Sequence, residues 1–457
     1  MRVTFRDYNA DNYLTLILLH IGMGLALYAI PVVGKLIFVG AFLYFFLKIV
    51  MVPKKEKTRA VLLGCAYFVG AEVLFRMTKS GLSYEASKYI VILFTLMGIF
   101  YRGVSGKGHP YFMYLILLVP AIVVASITLT FDARFRTNIA FVLSGPVCLG
   151  IAALFCYDRK VSQSLLLEVL NYMVLPIIAT TCYLFLYTPS IKDVLSSTAS
   201  NSAASGGFGP NQVSTILGLG MFAMVVRIFL RSPGTVLKVL NLVVFGAMTY
   251  RAFVTFSRGG VIAAVIVVAA FLWVLFWRSN ARQKNQIVGS FALFVVAAAV
   301  TWMISSQQTM GLLDKRYANE DALGREKEDV ATGRLDLFME EMEGFLGHPF
   351  FGVGASRTKN MRVEAGIGHL PSHNEIGRLL SEHGIMGILI LLILIFTPLA
   401  YRTTNNRNLF FYAFLAFWFA TINHSGMRIA APSFVYALAL LNVTYAKKHP
   451  VHRKQIK

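Results

Sequence analysis

Acidic side chains are scarce in this chain: 22 aspartates and glutamates in 457 residues, against 43 lysines and arginines. No Walker-type phosphate loop, metal-binding HExxH or nucleophile elbow is present, so the usual signatures of nucleotide hydrolysis, zinc peptidases and serine hydrolases are missing. Only four cysteines occur, Cys65, Cys148, Cys156 and Cys182. All lie in or beside apolar runs without metal-ligand spacing, and they read as small buried hydrophobes. An internal repeat of the kind built into many transporters is also lacking. Charge of either sign makes up 14% of the residues, whereas 56% are hydrophobic and the mean hydropathy is +0.64.

A soluble chain of this size has no core large enough for that much apolar surface. The apolar residues come in runs of roughly 18–22, the length that crosses a hydrocarbon layer about 30 Å thick. Spanning segments are expected near 13–31, 34–52, 60–77, 88–102, 111–131, 139–156, 165–187, 211–230, 235–256, 259–277, 287–305, 384–400, 409–424 and 430–446. The fold class is therefore an all-α polytopic membrane protein with about 12–14 transmembrane helices, organised as one membrane domain over 1–457. The first apolar run passes straight into a second, so it does not read as a cleavable signal peptide. The net charge of +21 would suggest nucleic acid in a soluble protein. Here the basic residues sit in short loops between apolar runs, where they set topology, and no nucleic-acid partner is expected.

Lys54, Lys55, Lys57 and Arg59 share one side with Arg159, Lys160, Arg278, Arg282 and Lys284, and with the tail residues Lys447, Lys448, Arg453, Lys454 and Lys457. That side is expected to be cytoplasmic, with both termini inside. The Ser/Gly-rich stretch 188–210, the turn Ser257-Arg258-Gly259-Gly260 and a large loop at 306–377 then face outward, with Arg134 and Arg136 as the exception. The loop should open as a flexible polar surface through Glu328. An amphipathic helix follows, with Leu335, Phe338, Met339, Met342, Phe345 and Leu346 at helical spacing and Gly347 and Pro349 ending it. It should lie on the membrane surface or on the bundle. A second short helix is expected from Ser372, with Glu375 at capping-box spacing and Gly384 as its stop.

Three residues stand out for chemistry. Arg258 is a cation at an outward turn, where Ser257 can cap the next helix and Gly259 and Gly260 let a ligand approach the backbone. Its position fits a phosphate site at a helix N-terminus or an arginine reaching for headgroups, and spacing does not choose. Arg334 sits in the first turn of the amphipathic helix, where the dipole disfavours a cation; an anionic partner and a plain surface arginine fit alike. His373 precedes a short helix whose N-terminus would keep it neutral, as suits a general base, and Asn374 beside it can orient a sugar hydroxyl. A lone loop histidine is more often unremarkable, and His348, His369 and His383 compete. Glu72 and Arg76 are one helical turn apart and should pair. Arg227, Arg251 and Glu168 should reach an interface or line a cavity.

The order of motifs is more telling than any one of them. Gly206-Gly207-Phe208-Gly209-Pro210-Asn211 and Ser257-Arg258-Gly259-Gly260 precede a loop with Thr332-Gly333-Arg334. Gly347-His348-Pro349-Phe350-Phe351-Gly352-Val353-Gly354, Ser372-His373-Asn374-Glu375 and Glu382-His383-Gly384-Ile385-Met386-Gly387 follow. Over residues 205–400 this resembles the O-antigen ligase and O-antigen polymerase superfamily of bacterial envelope glycosyltransferases. The resemblance implies a GT-C fold in the bacterial inner membrane, with the large loop roofing a periplasmic site. It implies transfer of a glycan from an undecaprenyl pyrophosphate carrier to a hydroxyl of lipid A-core, inverting and without metal or other cofactor. Arg258 and Arg334 match the arginines assigned to the pyrophosphate, and His373 matches the proposed base. Arg316, Arg325, Arg357, Arg362 and Arg378 are further arginines able to share the role of Arg334. A polymerase acting on a second lipid-linked glycan, a protein O-glycosyltransferase and, from another class, a transporter or flippase are the alternatives.

Overall fold

The computed structural model describes residues 10–129, 135–232, 234–327, 333–364, 366 and 372–445. Arg134, Glu328, Thr332, His369, Pro371 and the basic tail from Lys447 to Lys457 lie outside them. The chain is an all-α polytopic membrane protein. Each of the fourteen expected segments contains a helix, the last only as far as Ala439, and among the described residues eleven helices are long and apolar enough to cross a membrane. Three others fall short: Ala86–Arg102, Phe411–Ile422 and Ala430–Ala439, with 17, 12 and 10 residues. At 1.5 Å per residue the last two rise only about 15–18 Å, so neither crosses alone. The expected 111–131 segment is split at Pro120 into His109–Leu117 and Val119–Thr128, since proline cannot continue the hydrogen-bond ladder.

Burial sorts the spans into a centre and a rim. The apolar window of Ala203–Leu230 is 94% buried, whereas that of Ala281–Gln308 is 6% buried. Lys57–Met77 and Gln163–Tyr187 join the centre, and the short helix Ala430–Ala439 is buried throughout. At one end of the bundle a short parallel pairing of Lys160–Ser162 with Asn442–Thr444 ties the last segment to the middle of the chain. At the other end sit the 188–210 stretch, the 256–258 turn and the large loop.

Charges inside the bundle are ion-paired or hydrogen-bonded, as the cost of burying them requires. Glu72 and Arg76 form the expected pair at 2.5 Å. Arg76 also reaches Glu85 at 3.4 Å, and Glu85 pairs with the fully buried Lys88. The same two residues fix a distant turn: Arg76 Nη1 donates to the Arg428 carbonyl at 2.9 Å, and Glu72 Oε2 accepts from the Ala430 amide at 2.6 Å. Glu168 pairs with Arg59 at 2.5 Å. Arg227 and Arg251, expected at an interface or cavity, are instead buried. Arg227 donates to Asn171 at 2.8 Å and stacks on Tyr13, while Arg251 donates to the Thr188 and Ala204 carbonyls.

The large loop is more folded than its composition suggests. Its opening is not a flexible surface: Leu312–Tyr317 is helical, Glu320 bridges Glu326, and Lys327 donates to Thr198 at 2.6 Å. Leu312 packs with Ile191, Leu195, Val254 and Phe256, so apolar residues hidden among polar ones anchor it. The amphipathic helix is Arg334–Gly347. Its buried seam is Glu341 and Gly344, where Arg362 meets Glu340 and Glu341 at 2.8 and 3.0 Å. Leu335, Met339 and Leu346 stay exposed, while Phe338, Met342 and Phe345 are half-buried, so the apolar stripe flanks the buried seam and is only partly covered. The second short helix starts later than expected, at Glu375. Asn374 caps it by accepting from the Ile376 amide at 2.8 Å, while Ser372 bonds the Asn374 backbone.

Between the two loop helices the chain must turn against other backbone. Gly352 has φ +70°, and a Cβ there would come within 2.4–2.5 Å of the Glu382–His383 backbone. Val353 and Gly354 amides donate to the Ser381 and Glu382 carbonyls at 2.9 and 3.2 Å. Gly352→Ala therefore combines a left-handed conformation with a clash, each costing about 1–2 kcal/mol. Thermal unfolding followed by thiol labelling of the buried Cys65, Cys148 and Cys156 should show early loss, with proteolysis first in the 334–364 loop. A melting curve and cleavage pattern like the parent's would contradict this docking.

Candidate active site

Arg258 opens the span Arg258–Arg278, directly after a backbone corner at Phe256 with φ +57°. The corner is pinned from several sides. Ser257 Oγ donates to Asn211 Oδ1 at 2.7 Å, and the Ser257 carbonyl accepts from Ser214 at 3.0 Å. Ser257 thus makes no side-chain cap, contrary to expectation. Gly259 does not leave room for a ligand either: a Cβ there would come 2.5 Å from the His424 ring. Its smallness serves packing, because the imidazole occupies that space.

A second arginine closes on the same corner. Arg316, 8% exposed, donates from Nε to the Phe256 carbonyl at 3.1 Å, and Arg258 Nη1 lies 3.5 Å from the Arg316 carbonyl. Arg334, half-buried, follows the left-handed Gly333 as the first residue of its helix. Burial and then the charge of Arg258 lower the pKa of Arg334; burial, Arg258 and Arg334 do the same to Arg316. The three guanidiniums are mutual electrostatic neighbours. Of the other loop arginines, Arg325 pairs with Asp321, Arg357 with Glu364, Arg362 with Glu340 and Glu341, and Arg378 with Glu375 and Glu382. Among the described residues neither Arg316 nor Arg334 has a carboxylate partner.

His373 lies two residues before its helix, so the helix terminus is not what keeps it neutral. Burial comes first, followed by the charges of Arg428 and Arg334, and together they hold its pKa down at about 3 although a hydrogen bond to the His424 backbone favours the cation. Nδ1 is buried with no hydrogen-bond partner. The backbone bond therefore runs from Nε2–H, and Nδ1 keeps its lone pair. Arg334 thus links the histidine to the arginine group. Asn374 spends its side-chain oxygen on the helix cap.

The turn 423–429 completes the site and was missed from sequence. His424 Nδ1–H donates to the Ala420 carbonyl at 3.0 Å, and Nε2 lies 3.0 Å from Thr215 Oγ1, whose one hydroxyl hydrogen also faces the Asn211 carbonyl at 2.7 Å. Arg428 Nη2 donates to the Ser372 carbonyl at 2.6 Å and so steadies the residue beside His373. A usable signal was present: His424 and Arg428 sit between two apolar stretches too short to span. A cleft of about 440 Å³, measured to its open mouth, adjoins this turn and is lined by Phe141, Val142, Lys359, Ser372, Glu375 and Arg428. Arg258, Arg334 and His373 do not line it. Among the described residues no group of three His, Cys, Asp or Glu is placed to hold a metal ion.

An unfolded histidine titrates near 6.5, above the folded value. The unfolded state then binds more protons between about pH 3 and 6.5, so this contribution to stability is full above that window and lost as pH falls through it. Nitrogen-15 NMR of the imidazole, assigned with His373→Asn, should show a neutral ring from pH 8 to 5. A titration centred near 6.5 would contradict the buried setting. An anion bound at Arg334 offsets one of the depressing charges, so added inorganic pyrophosphate should raise the pKa. No curated protein and no solved structure matches the chain. Residues 243–392 match the family model described as O-antigen ligase, a stretch that holds Arg258, Arg316, Arg334 and His373, and the match supports the resemblance to the O-antigen ligase superfamily.

Proposed function

We propose that this protein transfers a glycan from an undecaprenyl pyrophosphate carrier to a hydroxyl of lipid A-core, at a site facing the periplasm from the bacterial inner membrane. The observation that carries the reading is the grouping of Arg258, Arg334 and His373. They lie 115 residues apart along the chain at their extremes, yet form one connected electrostatic cluster beside a base with a free lone pair. The acceptor oxygen attacks the anomeric carbon while its proton passes to His373 Nδ1. The bond from that carbon to the phosphate oxygen breaks, its electron pair stays on the phosphate, and configuration inverts. Arg258 and Arg334 stabilise the departing pyrophosphate in place of a divalent cation.

The charge environment tunes the base. A neutral imidazole is the form that accepts a proton, and its basicity is weakest while Arg334 and Arg428 face it alone. An anionic donor screens these charges, so the base strengthens when the donor is in place. The cleft beside Ser372 and Arg428, with apolar, cationic and acidic walls, is suited to a sugar acceptor. The GT-C architecture, the cytoplasmic termini and the roofing role of the 306–377 loop belong to the same proposal. A polymerase using a second lipid-linked glycan would employ the same residues. A transporter would need ionisable groups along a pathway, whereas Arg258, Arg316 and Arg334 gather at one end of the bundle.

Replacing Arg258 or Arg334 by alanine should lower transfer by about 10²–10³, and His373→Ala by about 10²–10⁴. The assay is surface polysaccharide on a gel from a knockout strain carrying each variant at normal abundance. Loss of long glycan from lipid A is expected. Loss of chain length with single repeats still attached would favour the polymerase, and an unchanged ladder would contradict both. A cysteine placed at 320–327 should react with an impermeant thiol reagent in intact spheroplasts; labelling only after lysis would reverse the orientation.

A further inference from the structure

We propose that Arg316 is a third guanidinium of the anion site, matched to the charge that the leaving pyrophosphate gains as the glycosidic bond breaks. The inference rests on the glycosyl-transfer reading above and adds a residue to it. Arg316 belongs to the short helix Leu312–Tyr317 and is almost wholly buried. Burying a guanidinium without a carboxylate is costly, and the other four arginines considered with it each have one. Its Nε is spent on the Phe256 carbonyl at 3.1 Å. No hydrogen bond is made by either Nη among the described residues, so two donors remain for a ligand.

Its position is locked to that of Arg258. Arg316 holds the carbonyl two residues before Arg258, and Arg258 in turn reaches the Arg316 carbonyl at 3.5 Å. The two side chains thus fix each other's backbones, and neither can be displaced without moving the other. The charge count explains why a third cation is useful. The sugar-linked pyrophosphate carries two negative charges, which Arg258 and Arg334 match. When the bond to the sugar breaks, the terminal phosphate keeps only its anhydride link to the other phosphate; its freed oxygen ionises with a pKa of about 6, as the second ionisation of a singly substituted phosphate does, and the group holds one more charge. A cation matched to that added charge acts in the transition state more than in the ground state, so it serves kcat more than KM.

The test uses the full-length protein in nanodiscs. Arg316→Gln keeps a donor for the Phe256 carbonyl and removes the charge; Arg316→Lys keeps the charge. Binding of inorganic pyrophosphate is measured by calorimetry, alongside transfer from a polyprenyl pyrophosphate-linked oligosaccharide. Arg316→Gln should weaken pyrophosphate binding at least about tenfold and lower kcat by about 10²-fold, with KM for the donor changed less than about threefold and the melting temperature retained. Arg316→Lys should recover most of the binding. If Arg316→Gln binds pyrophosphate and turns over like the parent, or if Lys is as impaired as Gln, the assignment is overturned and Arg316 is only a support for the turn. If Arg258→Ala and Arg334→Ala also leave pyrophosphate binding untouched, the reading beneath it fails as well.

Discussion

Guanidiniums held close together repel one another, and one end of this molecule is arranged around sustaining that repulsion. Two unit charges about 6 Å apart at an effective dielectric of about 20 oppose each other by about 3 kcal/mol. Arg258, Arg316 and Arg334 act on one another without a carboxylate on Arg316 or Arg334 among the described residues. Something must hold them in place. The corner at Phe256 is pinned by Asn211, Ser214 and Arg316, and the helix bearing Arg334 is riveted by the buried Glu341–Arg362 pair. Elsewhere in the loop Asp321, Glu340, Glu341, Glu364, Glu375 and Glu382 are paired with other arginines. The carboxylates that form ion pairs in the loop therefore neutralise arginines other than Arg316 and Arg334.

The second dependence runs through the turn 423–429. It is built from two helices too short to cross, and such backbone is tolerated at membrane depth only where protein partners satisfy it. Glu72 and Arg76 supply them, gripping the Ala430 amide and the Arg428 carbonyl. From that turn His424 fills the space above Gly259, its backbone receives the His373 ring, and Arg428 holds Ser372. An ion pair in the last turns of the third span thus sets the position of His373, Arg258 and the rim of the adjoining cleft. Packing and chemistry meet in one short segment.

The spans were legible because hydrocarbon thickness imposes a length on apolar runs, and the helices at Arg334 and Glu375 were legible from spacing and turn residues. Arg258, Arg334 and His373 were singled out as charges or titratable groups set against their local preference, with the motif order adding what spacing left open. Reading failed where a residue's partner is remote in sequence. Gly259 looked like room for a ligand because its neighbour His424 lies more than 160 residues on, and Ser257 looked like a cap because Asn211 was not in view. Arg316 was indistinguishable from four other loop arginines until their ion pairs were seen. The apolar stripe of Arg334–Gly347 was found, but that only part of it is covered was not, since periodicity gives a face and not what covers it.

The proposed replacement of a divalent cation by side-chain guanidiniums would be directly visible in a ligand complex. Electron cryomicroscopy of the protein in nanodiscs with a non-transferable polyprenyl pyrophosphate sugar analogue would locate both phosphates. They should lie within hydrogen-bond distance of Arg258 and Arg334, with the anomeric carbon toward His373 Nδ1. Phosphate density held by other residues, or bridged by a bound metal ion remote from these arginines, would contradict the assignment.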